Sequence, residues 1–206
     1  MLLSRSLPLF TPFLLFAAVI RAGDGQPRYY SVDAREVSPQ RDLLVEHYRS
    51  NAPGFSPVPE QIWLVSTSDP AVRHLLFTHE RSASVLFSDD EEWLVINDHH
   101  LSNESQLLLF HRKGPLDYEQ VADLTEAAWH YFDEQQRAKA PNGFDHAYVE
   151  AFRWADSEPP TLLLLLDGHM NSHNYTREWY CLYDVRAKTF SLDFGAHNRH
   201  MTKLEE

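Results

Sequence analysis

The chain has 206 residues, of which 43% are hydrophobic and 13% aromatic, and its formal net charge at pH 7 is −12. This acidic balance argues against nucleic acid and anionic membrane surfaces as partners, because both require a basic protein face. It favours solubility and would suit a basic partner. At this length we expect one domain with a single core.

The first residues have the pattern of an export signal. Arg5 is followed by an apolar run from Leu7 to Ile20 and by the small residues Ala22 and Gly23. This order predicts a cleavable signal peptide over residues 1–22 and a periplasmic or extracellular protein. The run of about 14 residues is shorter than the roughly 20 that span a bilayer, so a retained membrane anchor is the weaker interpretation. The next most apolar run, Leu162 to Leu166, has only five residues, so no stable membrane span is expected after cleavage.

Cys181 is the single cysteine of the chain. A secreted domain that lacks a sufficient core is usually stapled by several disulfides, so this domain must be held together by packing. Cys181 lies in the strand-like stretch from Trp179 to Tyr183. We therefore expect a buried apolar side chain at this position instead of a nucleophile.

The mature chain is predicted to begin with an N-terminal arm over residues 23–60. This segment is rich in Pro, Ser, Arg and Asp, and a short helix is expected from Arg41 to Tyr48, between Pro39 and the stop signal at residues 51–54. Residues 61–200 are then expected to form a single α+β domain, and residues 201–206 a tail.

Most of the predicted domain consists of short apolar runs separated by turn residues. Their lengths and their Val, Ile, Leu, Phe and Trp content are typical of antiparallel strands. We predict strands at Ile62 to Ser66, Val72 to Thr78, Ser84 to Phe87, Trp93 to Asn97, Gln106 to His111, Ala147 to Trp154, Thr161 to Asp167, Glu178 to Val185 and Thr189 to Phe194.

One long helix is predicted between the two groups of strands, from about residue 118 to 137. Val121, Leu124, Ala128 and Phe132 recur at helical spacing, and Asp117 is positioned to cap the first turn. The order of strands, helix and strands predicts an α+β fold, with a mostly antiparallel sheet and this helix covering one of its faces.

The strands contain a weak internal repeat. Residues 93–112 and 162–186 each read as an apolar strand, an Asp-x-His sequence, a polar loop and an apolar strand that ends in Arg. One explanation is that Asp, Asn, Ser and His are common turn residues. The other is a duplication, which predicts two hairpin-containing halves whose polar loops lie at the same end of the sheet.

The two polar hairpin ends, at residues 98–105 and 167–176, are the candidate working surface. Loops held on a rigid sheet are common binding sites, and we therefore predict a non-catalytic domain that binds an unknown protein or small ligand there. The candidate ligand-binding residues are Asp98, His100, Ser102, Asp167, His169, His173 and Tyr175.

An alternative is a metal-dependent hydrolase on the same loops. His100, His169 and His173 would hold zinc, while Asp98 or Asp167 would act as general base on a metal-bound water. The His169-x-x-x-His173 spacing falls in a Gly-, Asn- and Ser-rich segment, where it does not place both rings on one helix face. A third possibility is a structural, envelope-associated domain.

The segment from Phe87 to Val95 carries an acidic run, residues 88–92, between two apolar strands. The acidic run is interpreted as a solvated hairpin turn. The segment resembles the strand-turn-strand signature of a blade in periplasmic TolB-like β-propellers. The resemblance extends to Arg112 and implies an antiparallel meander there, whereas the chain is too short for a propeller of four or more blades.

Overall fold

Twelve β-strands and one α-helix make up the part of the protein that the computed structural model describes, which comprises residues 30–50, 58–136, 146–155, 159–170 and 173–193. The predicted signal peptide lies outside these ranges. In chain order the elements are β1 (Tyr30–Val37), β2 (Leu43–Ser50), β3 (Glu60–Ser66), β4 (Arg73–His79), β5 (Ser82–Phe87), β6 (Trp93–His99), β7 (Gln106–Arg112), β8 (Tyr118–Asp123), α1 (Thr125–Gln136), β9 (His146–Ala155), β10 (Thr161–Met170), β11 (His173–Asp184) and β12 (Thr189–Ser191).

The strands form three four-stranded antiparallel sheets. The first sheet contains β1 to β4, the middle sheet β5 to β8 and the third sheet β9 to β12, and within each sheet consecutive strands are neighbours. The prediction of a mostly antiparallel sheet is therefore confirmed. The segment from Phe87 to Arg112, which resembles a propeller blade, contains β6 and β7 of the middle sheet. The same connectivity occurs in all three described sheets.

The middle sheet lies between the first and the third, and it is therefore buried on both faces. Along β7, Leu107 and Leu109 pack against the third sheet, while Leu108 and Phe110 pack against the first. Side chains of a strand alternate between its two faces, so a strand covered on both sides needs an uninterrupted apolar run. The Leu-Leu-Leu-Phe sequence of β7 satisfies this requirement.

The first hairpins of the first and middle sheets are closed by the same turn. Ser38 N–H donates to the carbonyl oxygen of Leu43 at 3.0 Å, and Ser88 N–H donates to that of Trp93 at 2.9 Å. The third residue after each serine has a positive φ, which is 65° at Arg41 and 55° for Glu91 in the second turn. The two sheets therefore share local geometry as well as strand order.

The predicted helix from Arg41 to Tyr48 is wrong, because these residues lie mainly in β2. Leu43 and Val45 alternate with residues of the opposite face, and both belong to the core between the first and middle sheets. The strand pairs with β1 on one side and with β3 on the other. Pro39 belongs to the β1–β2 turn, so the predicted arm contributes two strands to the first sheet.

The long covering helix is also a wrong prediction, since residues 118–123 form β8 and the helix begins at Thr125. Val121 faces solvent from β8, whereas Leu124, Ala128 and Phe132 are buried as expected. Asp123, not Asp117, accepts the first-turn hydrogen bond, from Thr125 N–H at 2.9 Å. The α+β class thus fits in part, because the helix has only 12 residues and its buried residues join the core between the middle and third sheets.

The predicted strands from Ile62 onward all overlap observed ones. The two copies of the sequence repeat are β6–β7 and β10–β11, which are the second and third strands of the middle and third sheets. The expectation of two halves is corrected to three sheets. Within the described ranges, no helix has the length and apolar character needed to cross a bilayer.

Candidate functional site

Strand β9 is an edge of the third sheet, and side chains of the middle sheet satisfy its backbone. The Asn97 side chain accepts a hydrogen bond from Ala151 N–H at 2.8 Å and donates one to Ala151 O at 3.0 Å. The Ser105 hydroxyl is paired in the same way with the N–H and carbonyl of Val149, at 2.7 and 2.8 Å. These contacts fix the third sheet against the end of β6 and the start of β7.

The loop between β6 and β7 continues this junction. Asn103 accepts a hydrogen bond from Ala147 N–H at 2.8 Å, and Ser105 N–H donates to Ala147 O at 3.2 Å. The Tyr148 hydroxyl donates to the carbonyl oxygen of Ser102 at 2.6 Å. The loop is therefore attached to the first residues of β9 and is held by backbone hydrogen bonds.

Both predicted hairpin ends border the start of β9. In the third sheet Tyr148 lies opposite Asp167, and His146 lies opposite His169. Because the β6–β7 loop contacts β9 at Tyr148, this strand joins the loop to the end of β10. The arrangement agrees with the duplication hypothesis in placing both ends together.

A cleft of about 260 Å³ opens beside the β6–β7 loop, where the loop faces the first turn of α1. Three carboxylates and an imidazole belong to its wall, and no Lys or Arg is among the described residues that line it. The lining residues are His100, Glu104, Ser105, Gln106, Asp123, Thr125, Glu126, Trp129 and Ala147.

Among the acidic residues of the cleft, Asp123 is held in place by a hydrogen bond to the start of α1. Oδ1 of Asp123 accepts a hydrogen bond from the N–H of Thr125. The hydroxyl of Thr125 in turn accepts a hydrogen bond from the N–H of Leu107 at 2.9 Å. Nε2 of His100 lies 4.0 Å from Oε2 of Glu104, and both side chains are partly exposed. A concave site with negative charge and an indole surface is suited to a cationic group.

Asp98, one of the predicted ligand-binding residues, is buried on the face of β6 that packs against the first sheet. It is 5% exposed, and its Oδ1 has no hydrogen-bond partner in the described structure. Burial raises the pKa of its carboxyl group, an effect that the positive forms of the nearby His100, His79 and His99 oppose. Asp98 therefore does not line the cleft.

The predicted second polar loop is mostly strand. Pairing continues from Gly168 opposite Thr176 to Met170 opposite His173, and residues 171–172 lie outside the described residues. Oδ1 of Asp167 accepts the N–H of Glu178 at 2.8 Å, which fixes a local irregularity of the hairpin. The backbones of His169, His173 and Tyr175 are placed in β10 and β11, but their side chains lie outside the description.

The predicted zinc ligands remain a prediction. Among the described residues, no group of three or more His, Cys, Asp or Glu side chains is arranged to hold a metal ion. Cys181 is buried as expected, and burial raises the pKa of its thiol to about 12, so the reactive thiolate is suppressed.

Several residues at this end were not singled out from the sequence. The predicted helix over residues 118–137 places Glu126 and Trp129 near its middle, whereas α1 begins at Thr125 and puts them in its first turns. His79 ends β4 and is 5% exposed, with neither ring nitrogen hydrogen-bonded in the described structure. The one feature of the sequence that points to His79 is its position directly after the predicted strand from Val72 to Thr78.

Comparison with known proteins gives no family for this chain. No protein-family model matches it. No curated protein and no solved structure is significantly similar to it.

Proposed function

We propose that the protein is an exported binding domain whose cleft, between the β6–β7 loop and α1, accepts a cationic group. The observation that carries this proposal is the cleft itself, which combines the carboxylates of Glu104, Asp123 and Glu126 with the indole of Trp129. Its volume of about 260 Å³ is suited to one amine- or guanidinium-bearing side chain rather than to a large ligand.

The rigidity of the surroundings supports binding. The β6–β7 loop is tied to β9 by hydrogen bonds of Asn103 and Ser105, and the opposite wall is the first turn of a helix. A preformed site loses less conformational entropy on binding than a mobile one. The net charge of the chain, −12, would also increase the rate at which a basic ligand reaches the cleft.

The occupant that fits best is a lysine or arginine side chain of a basic protein or peptide. An exposed carboxylate pairs with a cation weakly, by about 0.2 to 1 kcal/mol. Three such pairs contribute at most about 3 kcal/mol, so the cleft by itself would bind a single cationic group with a dissociation constant of several millimolar or more. A partner would gain affinity from further contacts around the cleft.

The test uses a matched pair of small probes, Nα-acetyl-lysine methylamide and the same molecule acetylated at Nε, which is neutral. Each is titrated into the isotope-labelled protein while amide and indole NMR signals are recorded. We expect the cationic probe to shift the signals of Glu104, Glu126 and Trp129 in a saturable manner. We expect the neutral probe to leave them nearly unchanged.

Two results would contradict the proposal. One is an equal response to the neutral and cationic probes, which would show that charge does not select the ligand. The other is a response to the cationic probe that is spread over exposed carboxylates elsewhere, such as Glu119 in β8 and Glu134 in α1. Such a response would indicate unspecific attraction to an acidic surface.

A further inference from the structure

His79 is the last residue of β4, and it faces the contact between the first and middle sheets. In the pairing of β3 with β4, Phe77 lies opposite Ile62 and His79 lies opposite Glu60. Phe77 packs against the core between the two sheets, and His79, two residues later, shares its face. The imidazole is 5% exposed, and neither of its nitrogens has a hydrogen-bond partner in the described structure.

The ionisable groups around His79 come from three strands. Glu60 of β3 and Asp98 of β6 favour the protonated imidazole, whereas His47 of β2 opposes it when charged. Glu60 also forms an ion pair with Arg49, in which Nε of Arg49 lies 3.4 Å from Oε1 of Glu60. Asp98 is itself surrounded by His99, His100 and Glu80.

Burial is the dominant influence on the imidazole. It lowers the pKa of His79 below its usual value, and the two neighbouring carboxylates compensate in part. An imidazolium ion at this position would be a buried charge without an acceptor in direct hydrogen-bond contact, which is costly. The neutral ring is therefore the form that the folded structure accommodates.

We propose that His79 is an acid-sensitive contact between the first and middle sheets, at which uptake of a proton weakens the packing of β4 on β6. This inference is independent of ligand binding in the cleft. Histidine is the side chain whose charge changes within the pH range that exported proteins meet, so acidification would loosen this contact while distant strands keep their pairing.

The sign of the effect follows from linkage. A histidine whose pKa is lower in the folded protein than in the unfolded chain binds a proton more readily when unfolded. The neutral His79 stabilises the folded protein fully at pH values above the pKa of the unfolded chain, near 6.5. This stabilisation is lost as the pH falls from 6.5 towards the lower pKa of His79 in the folded protein. Within that window the folding equilibrium constant decreases by up to about tenfold per pH unit.

The experiment compares urea unfolding of the wild type, His79→Gln and His130→Gln from pH 7.5 to pH 5. Gln keeps polarity but does not titrate, and His130 is a matched control because its side chain is 72% exposed. We expect the unfolding midpoint of the wild type and of His130→Gln to fall more steeply with acidification than that of His79→Gln. Parallel curves for all three proteins would overturn the inference.

A second measurement applies if His79→Gln does not fold. The ring signals of His79 are followed in the wild type by NMR during an acid titration, together with hydrogen exchange of β4 corrected for intrinsic rates. We expect a titration midpoint below 6.5 and a loss of β4 protection over the same pH range. A midpoint at or above 6.5, or unchanged protection, would overturn the inference.

Discussion

The side-chain amide of Asn97 takes the place of a strand neighbour for Ala151, which lies 54 residues further along the chain. It accepts a hydrogen bond from the N–H of Ala151 at 2.8 Å and donates one to its carbonyl oxygen at 3.0 Å, and both contacts are buried. The edge of β9 is thereby satisfied by a side chain of the middle sheet. The position of the candidate cleft depends on this junction, since β9 also holds the β6–β7 loop.

Replacing Asn97 with Ala should destabilise the protein by about 2 to 6 kcal/mol. The change leaves the N–H and carbonyl of Ala151 buried without partners, and each such group costs about 1 to 3 kcal/mol. Urea unfolding measures the loss. Gln120→Ala is the control, because Gln120 is exposed on β8. Its effect should stay within about 0.5 kcal/mol, and equal losses for the two variants would contradict the role given to Asn97.

The helix boundary gives a second prediction. Phe132→Ala removes a side chain that is 2% exposed and contacts Trp129 and Trp179, so it should cost about 3 to 5 kcal/mol. Val121→Ala should cost less than about 0.5 kcal/mol, because Val121 is 45% exposed on β8. Comparable losses in the denaturation midpoint would favour one continuous helix over residues 118–137.

Asp98 gives a prediction about pH. Its pKa is raised by burial, so the folded protein binds a proton at this site more readily than the unfolded chain does. The protonated Asp98 therefore stabilises the folded protein fully at pH values below the pKa of the unfolded chain, near 3.8. This stabilisation is lost as the pH rises through the higher pKa that Asp98 has in the folded protein. Asp98→Asn should be more stable than the wild type at pH 7, and this advantage should shrink on acidification.

The measurement for Asp98 is the difference in unfolding midpoint between Asp98→Asn and the wild type from pH 7 to pH 4. Asp69→Asn serves as the control, because Asp69 lies in the exposed β3–β4 turn. A difference that grows as the pH falls would contradict the burial of a charged Asp98.

The strands of the middle and third sheets could be predicted because their apolar runs are short and are bounded by turn residues. β2 could not, since Leu43 and Val45 alternate over too few residues to outweigh the flanking proline signals. The pairing that makes this segment a strand comes from β1 and β3. Local sequence does not contain that long-range contact.

The acidic turn before Trp93 shows a second limit. Ser88 to Glu92 was predicted as a solvated hairpin turn, and the hairpin is present, but the Glu91 side chain is fully buried. Its Oε1 accepts the N–H of Gln40 at 2.7 Å, and its Oε2 lies 3.7 Å from Arg112. A carboxylate that joins two sheets cannot be distinguished from a surface charge until both turns are placed in space.

The candidate site was predictable only in part, because it too depends on how distant segments are placed in space. His100 and the β6–β7 loop were identified by their turn chemistry, and they do form one wall of the cleft. The opposite wall depends on where α1 begins. Val121, Leu124 and Ala128 recur at helical spacing although Val121 belongs to β8, so the spacing does not reveal the change from strand to helix. Asp98 was assigned to the loop but points into the sheet contact, because β6 extends to His99.

The most direct test of the account is the dissociation constant of Nα-acetyl-lysine methylamide for three proteins at low salt: the wild type, Glu104→Gln/Glu126→Gln and Glu134→Gln. Glu134 is the matched control, since it is exposed on α1 and does not line the cleft. Removal of two carboxylates that each contribute about 0.2 to 1 kcal/mol should weaken binding by about two- to thirtyfold, whereas Glu134→Gln should bind the probe as the wild type does. Equal dissociation constants for the wild type and the double variant would contradict a cation-binding cleft.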